Sequence, residues 1–231
     1  MERTRPWLAE PKKTIEILQK YQFRFQKRFG QNFLIDPHVL DKIVAAADIR
    51  EEDFVIEIGP GIGTLTQYLA WKAGKVCAIE IDRNLFPILK DTLSEWDNIT
   101  IVEGDVMKLD LHELIREKAE GRPVKIVANL PYYITTPILM SIFERHLPVT
   151  SVTVMVQKEV AERMQARPGT KDYGALSVAV QYYALPYIAA YVPQNCFMPR
   201  PNVGSAVIRL EKKETQQAVQ DEALMFSLVK A

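Results

Sequence analysis

Five short, apolar, β-branched runs constrain this chain most: Phe54–Gly59, Val76–Ile81, Ile99–Gly104, Val124–Asn129 and Val152–Gln157. Between them lie Thr64–Lys72, Arg83–Glu95, Lys108–Lys118 and Thr136–His146, in which apolar residues recur at three- and four-residue spacing. Strands alternating with helices of that length predict βαβ units, and so a mostly parallel sheet with helices on both faces. The near-continuous apolar character of the runs agrees, because a strand covered on both sides has no solvent face to keep polar. The pattern changes after Gln157. Lys158–Ala166 is predicted as a helix and Arg167–Gly174 as a loop. Leu176–Ala184, Tyr187–Val192 and Val203–Leu210 follow as strand-like runs joined by short turns, which suits an antiparallel end to the sheet. A polar stretch, Glu211–Asp221, leads to an amphipathic helix, Glu222–Lys230.

Length and charge bound the partners. At 231 residues the chain can hold one large domain, or a domain and a fragment. Basic and acidic residues balance at 29 each, yet the first 28 residues carry eight basic and three acidic side chains, a local net charge of +5. A basic arm, residues 1–28, on a mildly acidic body suits contact with a phosphate backbone; a solvated helix face is the alternative. Two cysteines, Cys77 and Cys196, without a Cys/His cluster, give no zinc site and no disulfide framework, and no metal is expected. Cys77 lies in an apolar run and is expected as a small buried hydrophobe. No window approaches the ~18 apolar residues of a membrane span, and the N-terminus has no apolar signal core. The expected compartment is the cytoplasm, with no membrane partner.

The first run ends in Glu57-Ile58-Gly59-Pro60-Gly61-Ile62-Gly63-Thr64 and opens a helix. Glycines there permit a tight turn and close approach of a ligand, at the carboxyl end of a strand where open α/β sheets bind ligands. The spacing is not that of a dinucleotide fingerprint, and no Gly-Lys-Ser/Thr follows for a triphosphate. Glu80 stands at the end of the second run, 21 residues after Gly59, where a carboxylate can accept from both hydroxyls of a ribose. It interrupts an apolar strand, and a buried charge without a partner is costly. Asp105, after the third run, can accept from an adenine amine or cap a helix. A glycine loop with two strand-end acids describes a nucleoside site without phosphate selectivity, and S-adenosylmethionine is such a ligand.

The fourth run ends in Asn129-Leu130-Pro131-Tyr132. Adenine N6 is a poor nucleophile because its lone pair is delocalised into the ring. An Asn side-chain oxygen and a neighbouring backbone carbonyl, that of Leu130, can accept from both amine hydrogens and favour the tetrahedral, nucleophilic nitrogen. Pro131 fixes the backbone of this turn, and Tyr132 offers a ring on which a base can stack. Taken alone, Asn-x-Pro is also ordinary turn chemistry. Phe197, in Phe197-Met198-Pro199-Arg200-Pro201, lies in a stiff segment that can hold a second ring opposite Tyr132, sandwiching a flipped-out base.

In order along the chain, Gln31–Leu34 (QNFL), Glu57–Thr66 (EIGPGIGTLT), Ala78–Asp82 (AIEID), Gly104-Asp105-Val106, Asn129–Tyr132 (NLPY), Val156–Met164 (VQKEVAERM) and Phe197–Leu210 (FMPRPNVGSAVIRL) resemble the ribosomal RNA adenine N6,N6-dimethyltransferases. Within that family the bacterial small-subunit (16S) branch is the nearest match. The resemblance implies a Rossmann-like class I S-adenosylmethionine-dependent fold, a seven-stranded, mostly parallel sheet with an antiparallel end strand, over residues 29–211. It implies a cofactor pocket of Asn32, Leu34, Gly59, Gly61, Glu80, Ile81, Asp105, Val106 and Asn129, and an acceptor site of Asn129, Leu130, Pro131, Tyr132 and Phe197. Family members transfer four methyl groups to two adjacent adenines in a hairpin near the 3′ end of the small-subunit RNA, late in subunit assembly. Where the family often has an acid, this chain has Gly204. Residues 212–231 match only the first helix of the family's small helical C-terminal domain, so a truncated chain, acting as a monomer, is expected. Large-subunit adenine methyltransferases usually show Asn-Ile-Pro-Tyr instead, and a non-catalytic assembly factor on the same fold is a further alternative.

Overall fold

The computed structural model describes residues 5–26, 29–214 and 219–230, without the side chains of 223 and 230. Five strands and their crossovers fall where the apolar runs place them. β2 (Phe54–Ile58), β3 (Lys75–Glu80), β4 (Ile99–Glu103), β5 (Val124–Asn129) and β6 (Ser151–Gln157) alternate with α3 (Thr64–Lys72), α4 (Phe86–Thr92), α5 (Leu111–Lys118) and α6 (Thr135–Glu144). All four pairings among these strands are parallel. With β7 (Ala184–Val192) and β9 (Ser205–Lys212) they form a seven-stranded sheet in the order β4-β3-β2-β5-β6-β9-β7. The expectation of an antiparallel end strand is refined in one respect. The antiparallel strand, β9, lies one place in from the edge, between β6 and β7.

Side chains leave a strand on alternate faces, and two hydrophobic clusters result. Phe54, Ile56 and Ile58 join one cluster with α5, α6 and residues of 175–183, whereas Val55 joins the other with α3, α4 and the N-terminal helices. Cys77 is fully buried and unbonded to Cys196, as a small core hydrophobe should be.

The run at residues 176–184, expected as a strand, is a helix: α8 spans Ala175–Tyr183, between α7 (Lys158–Gln165) and β7. Short apolar runs carry both periods, and length alone cannot separate them. Helical spacing wins because Ser177, Val180 and Tyr183 all turn inward. The Ser177 hydroxyl also accepts from the amide of Gly174 at 3.2 Å, starting the helix.

Three elements precede the sheet: α1 (Pro11–Lys20), the two-residue β1 (Phe33–Leu34) and α2 (Pro37–Ala47). Within the basic segment, α1 buries Thr14, Ile17 and Leu18 on the body, and Lys20 pairs with Asp91 at 2.6 Å. Arg3, Lys27 and Arg28, also counted in that segment, lie outside the described residues. Asp36 caps α2 by accepting from the amides of His38 and Val39, with Pro37 at its first position. β1 pairs antiparallel with β8 (Phe197–Met198), which fastens the N-terminal segment over the carboxyl ends of the central strands. At the other end of the chain, α9 (Glu222–Lys230) packs Phe226 on the stacked ring of Tyr183. No described helix is long and apolar enough to cross a membrane.

At the amino end of the sheet a buried ion pair joins β5 to the turn before β2: Lys125 Nζ is 2.8 Å from Asp53, and it also donates to the Asp48 carbonyl. Removing one partner strands the other charge in a dry environment. Asp53→Ala should destabilise the protein by about 3–5 kcal/mol in denaturant unfolding. A loss under about 1 kcal/mol, typical of an exposed pair, would contradict the burial.

Candidate active site

The order of the sheet sets the place of the site. From β2 the chain builds outward to β3 and β4 on one side, then returns to start β5 on the other. Such a switch point opens a crevice at the carboxyl ends of the two central strands. A cavity lies there, and Gly59, Gly61, Glu80, Ile81, Asp105, Val106 and Asn129 through Tyr132 all line it. Asn32 and Leu34 line it from the N-terminal segment.

The glycine loop closes tightly. Gly59 and Gly61 both have positive φ, at 71° and 61°. A Cβ on Gly61 would also sit 2.8 Å from the ring of Phe33, so the covering segment can pack here only on a glycine. The Gly61 amide donates to Glu80 at 3.2 Å. The other carboxylate oxygen of Glu80 accepts from the amides of Ile81 at 2.9 Å and Asp82 at 2.8 Å. Glu80 is 4% exposed, and burial pushes its pKa up to about 7 against the pull of those three amides. Asp105 caps no helix, the cap of α5 being Asp110; one of its oxygens accepts from the Met107 amide at 3.0 Å in the turn after β4, and the residue lines the cavity.

Glu57 had been assigned no role. It is 1% exposed and lines the cavity, and its Oε2 has no hydrogen-bond partner. Burial pushes its pKa to about 8, opposed by the Thr66 hydroxyl and reinforced by the charge of Glu80. The argument that singled out Glu80, an acid interrupting an apolar strand, applies equally to Glu57.

Asn129 ends β5 with its side-chain amide committed. Nδ2 donates to the backbone carbonyl of Asn32 at 2.9 Å, an orientation set by the hydrogen-bond network. Oδ1 is thereby left as the acceptor at the cavity wall. The Asn32 side chain turns back on Gly30, donating to its carbonyl at 3.0 Å. After Leu130 and Pro131 the chain turns into α6, with the Pro131 carbonyl taken by the Ile134 amide and the Thr135 hydroxyl. Tyr132 lines the cavity, and its hydroxyl is 2.6 Å from that of Ser205. The covering segment is held by Asp82, which accepts from Gln26 and Gln31.

Phe197 is not brought to this wall. It is 4% exposed within the core cluster beside Leu34, its partner in the β1–β8 pairing. The two-residue strand turns its ring inward, so no sandwich with Tyr132 is formed in this structure. The segment expected to supply a second ring reaches Tyr132 through the Ser205 hydroxyl instead.

These observations define a class. A seven-stranded sheet, a glycine loop at its switch point and an acid ending β3 make this an α/β Rossmann-like fold of the class I S-adenosylmethionine-dependent methyltransferases. The donor set fits that cofactor, because a buried Glu57 oxygen without a hydrogen-bond partner, lining the cavity, suits a ligand carrying positive charge. The chain belongs to the ribosomal RNA adenine dimethylase family, whose profile matches residues 22–231. It is 62% identical over 227 residues to a ribosomal RNA small subunit methyltransferase A of Lachnoclostridium phytofermentans, covering 97% of this chain and 78% of that one. It is 56% identical to the protein of the same name from Clostridioides difficile, with 97% and 78% covered. Among solved structures, a dimethyladenosine transferase from Plasmodium falciparum superposes with a TM-score of 0.70 at 32% identity, over 79% of this chain and 64% of that one. The 23S rRNA methyltransferase ErmE superposes at 0.71 and 28% identity, over 86% and 77%.

The buried acids give a pH test. The Glu57 pKa is raised from 4.5 in the unfolded chain to about 8 in the fold. Stability from its protonated form is complete below the unfolded value and is lost as pH rises through the folded one. Relative to Glu57→Gln, the ligand-free wild type should lose stability steadily between about pH 4.5 and 8, followed by thermal unfolding. A constant difference across that window would show that the carboxyl titrates normally.

Proposed function

We propose that this protein transfers methyl groups from S-adenosylmethionine to the N6 amines of two adjacent adenines in a hairpin near the 3′ end of 16S rRNA, during late assembly of the small subunit. The observation that carries the reading is Asn129. Its Nδ2 is held by Asn32 and its Oδ1 remains for an amine, in the same cavity as the glycine loop and Glu80.

The cofactor supplies a methyl group already activated by a sulfonium, so the protein needs neither a metal nor a covalent nucleophile; its contribution is alignment and electrostatics. Asn32, Leu34, Gly59, Gly61, Glu80, Ile81, Asp105 and Val106 would hold it, Glu80 toward the ribose hydroxyls and Asp105 toward the adenine amine. Asn129 Oδ1 and the Leu130 carbonyl accept from the substrate amine. Those two acceptors would hold the amine with its lone pair free to take the methyl group, and the displaced N6 proton would leave to water. Pro131 stiffens the turn and Tyr132 carries the base. Phe197 supports the site from the core behind the wall, where it pairs with Leu34.

The names of the relatives favour the small subunit over the large, since identity is 62% and 56% with the two small-subunit proteins and 28% with the 23S enzyme. A cytoplasmic monomer, with a basic N-terminal arm and the beginning of a C-terminal RNA-binding part after residue 211, completes the proposal.

Labelled S-adenosylmethionine and small subunits from a strain lacking the modification provide the test. The expected product is label at N6 of two adjacent adenines near the 3′ end of 16S rRNA. Label on large-subunit RNA, or none with a C-terminally extended chain, would overturn the assignment.

A further inference from the structure

Tyr132 is attached to the protein at both ends. Its backbone belongs to the turn after β5, and its hydroxyl lies 2.6 Å from the hydroxyl of Ser205. Ser205 is 1% exposed and opens β9, where it pairs with Gln157 of β6 on one side and Val192 of β7 on the other. The position is therefore fixed by two strands. The loop before it is fixed as well: the Gly204 carbonyl accepts from the Lys158 amide at 3.0 Å, and that of Asn202 from Gln194 at 2.7 Å.

A tyrosine ring held only at its Cα keeps two side-chain torsions, and both must be frozen when a base stacks on it. An anchor at the far end freezes them before the ligand arrives, and such preorganisation speeds a reaction that depends on alignment. Burial raises the Tyr132 pKa while the bond to Ser205 opposes the rise, so the hydroxyl remains neutral and able to share a proton with Ser205 near neutral pH. Both hydroxyls are drawn from water at this contact, and each would lose a partner if the other were removed.

We propose that Ser205 is a positioning residue for methyl transfer, setting the plane of the Tyr132 ring against which the acceptor adenine lies. The inference rests on the reading of Tyr132 as the surface that carries the base. It assigns the segment from Phe197 to Ser205 a role in the acceptor site that does not require Phe197 to reach the cavity.

A double-mutant cycle in turnover tests it, using Ser205→Ala, Tyr132→Phe and the pair, with labelled S-adenosylmethionine and unmodified small subunits. Each single change should lower kcat by about five- to tenfold, the worth of one hydrogen bond. The pair should be no slower than the slower single variant. The dissociation constant for S-adenosylhomocysteine should stay within about twofold throughout, which a general loosening of the fold would not permit. Multiplying losses, or a wild-type kcat in Ser205→Ala, would overturn the proposal. If Ser205→Ala does not fold, Tyr132→Phe decides alone, and a wild-type kcat there is equally fatal. Tyr132→Ala separates the two levels. Normal turnover in that variant removes Tyr132 from the site and this inference with it; a large loss there beside unaffected Ser205→Ala removes the role of Ser205 only.

Discussion

The side-chain amide of Asn129 donates to the backbone of Asn32, and the relation between the two halves of the cavity depends on this bond. Asn129 ends a central strand whose position is fixed by five parallel register contacts with β6. Asn32 belongs to a segment that crosses over the cavity, fastened by Asp82 on one side and by the β1–β8 pairing on the other. The bond ties the covering segment to the end of β5, and it also sets which way the amide is turned. With its nitrogen turned to Asn32, the amide keeps its oxygen free to accept. Chemistry that needs an acceptor for an amine therefore follows from where the covering segment lies.

The same crowding explains the two buried carboxyls. Glu57 is the penultimate residue of β2 and Glu80 the last of the adjacent β3, and both are buried. Three amides hold Glu80, while an oxygen of Glu57 has none. Such groups weaken the empty protein as they ionise and strengthen the hold on a positively charged ligand. Stability is thus given up at the place where the cofactor would restore it.

The central strands were legible in the sequence because strands covered on both faces are continuous in apolar residues. Glu80 stands out because a charge in such a run is anomalous, whereas Glu57, equally anomalous in its own strand, is hidden inside the glycine-loop motif. Residues 176–184 do not declare their structure, because an apolar run of nine residues carries both periods; the helix is set by the inward turn of Ser177, Val180 and Tyr183 and by packing against α7, α6, α9 and β7. The covering segment was visible as the motif Gln31–Leu34 but not as structure: β1 exists only through its partner at Phe197–Met198, 164 residues away. Phe197 was expected in the cavity for its ring, yet a two-residue strand can point that ring inward as easily as outward. Ser205 carried no mark at all, since a serine at the start of a strand becomes informative only when Tyr132 is seen to reach it.

The rate of a single round of methyl transfer by Asn129→Ala tests the central claim most directly. The account predicts a fall of at least about 100-fold, the cost of losing a preorganised polar contact to the reacting group, with the thermal unfolding midpoint little changed. A rate near that of the wild type would show that the Asn129 amide, however firmly it is held by Asn32, takes no part in orienting the acceptor.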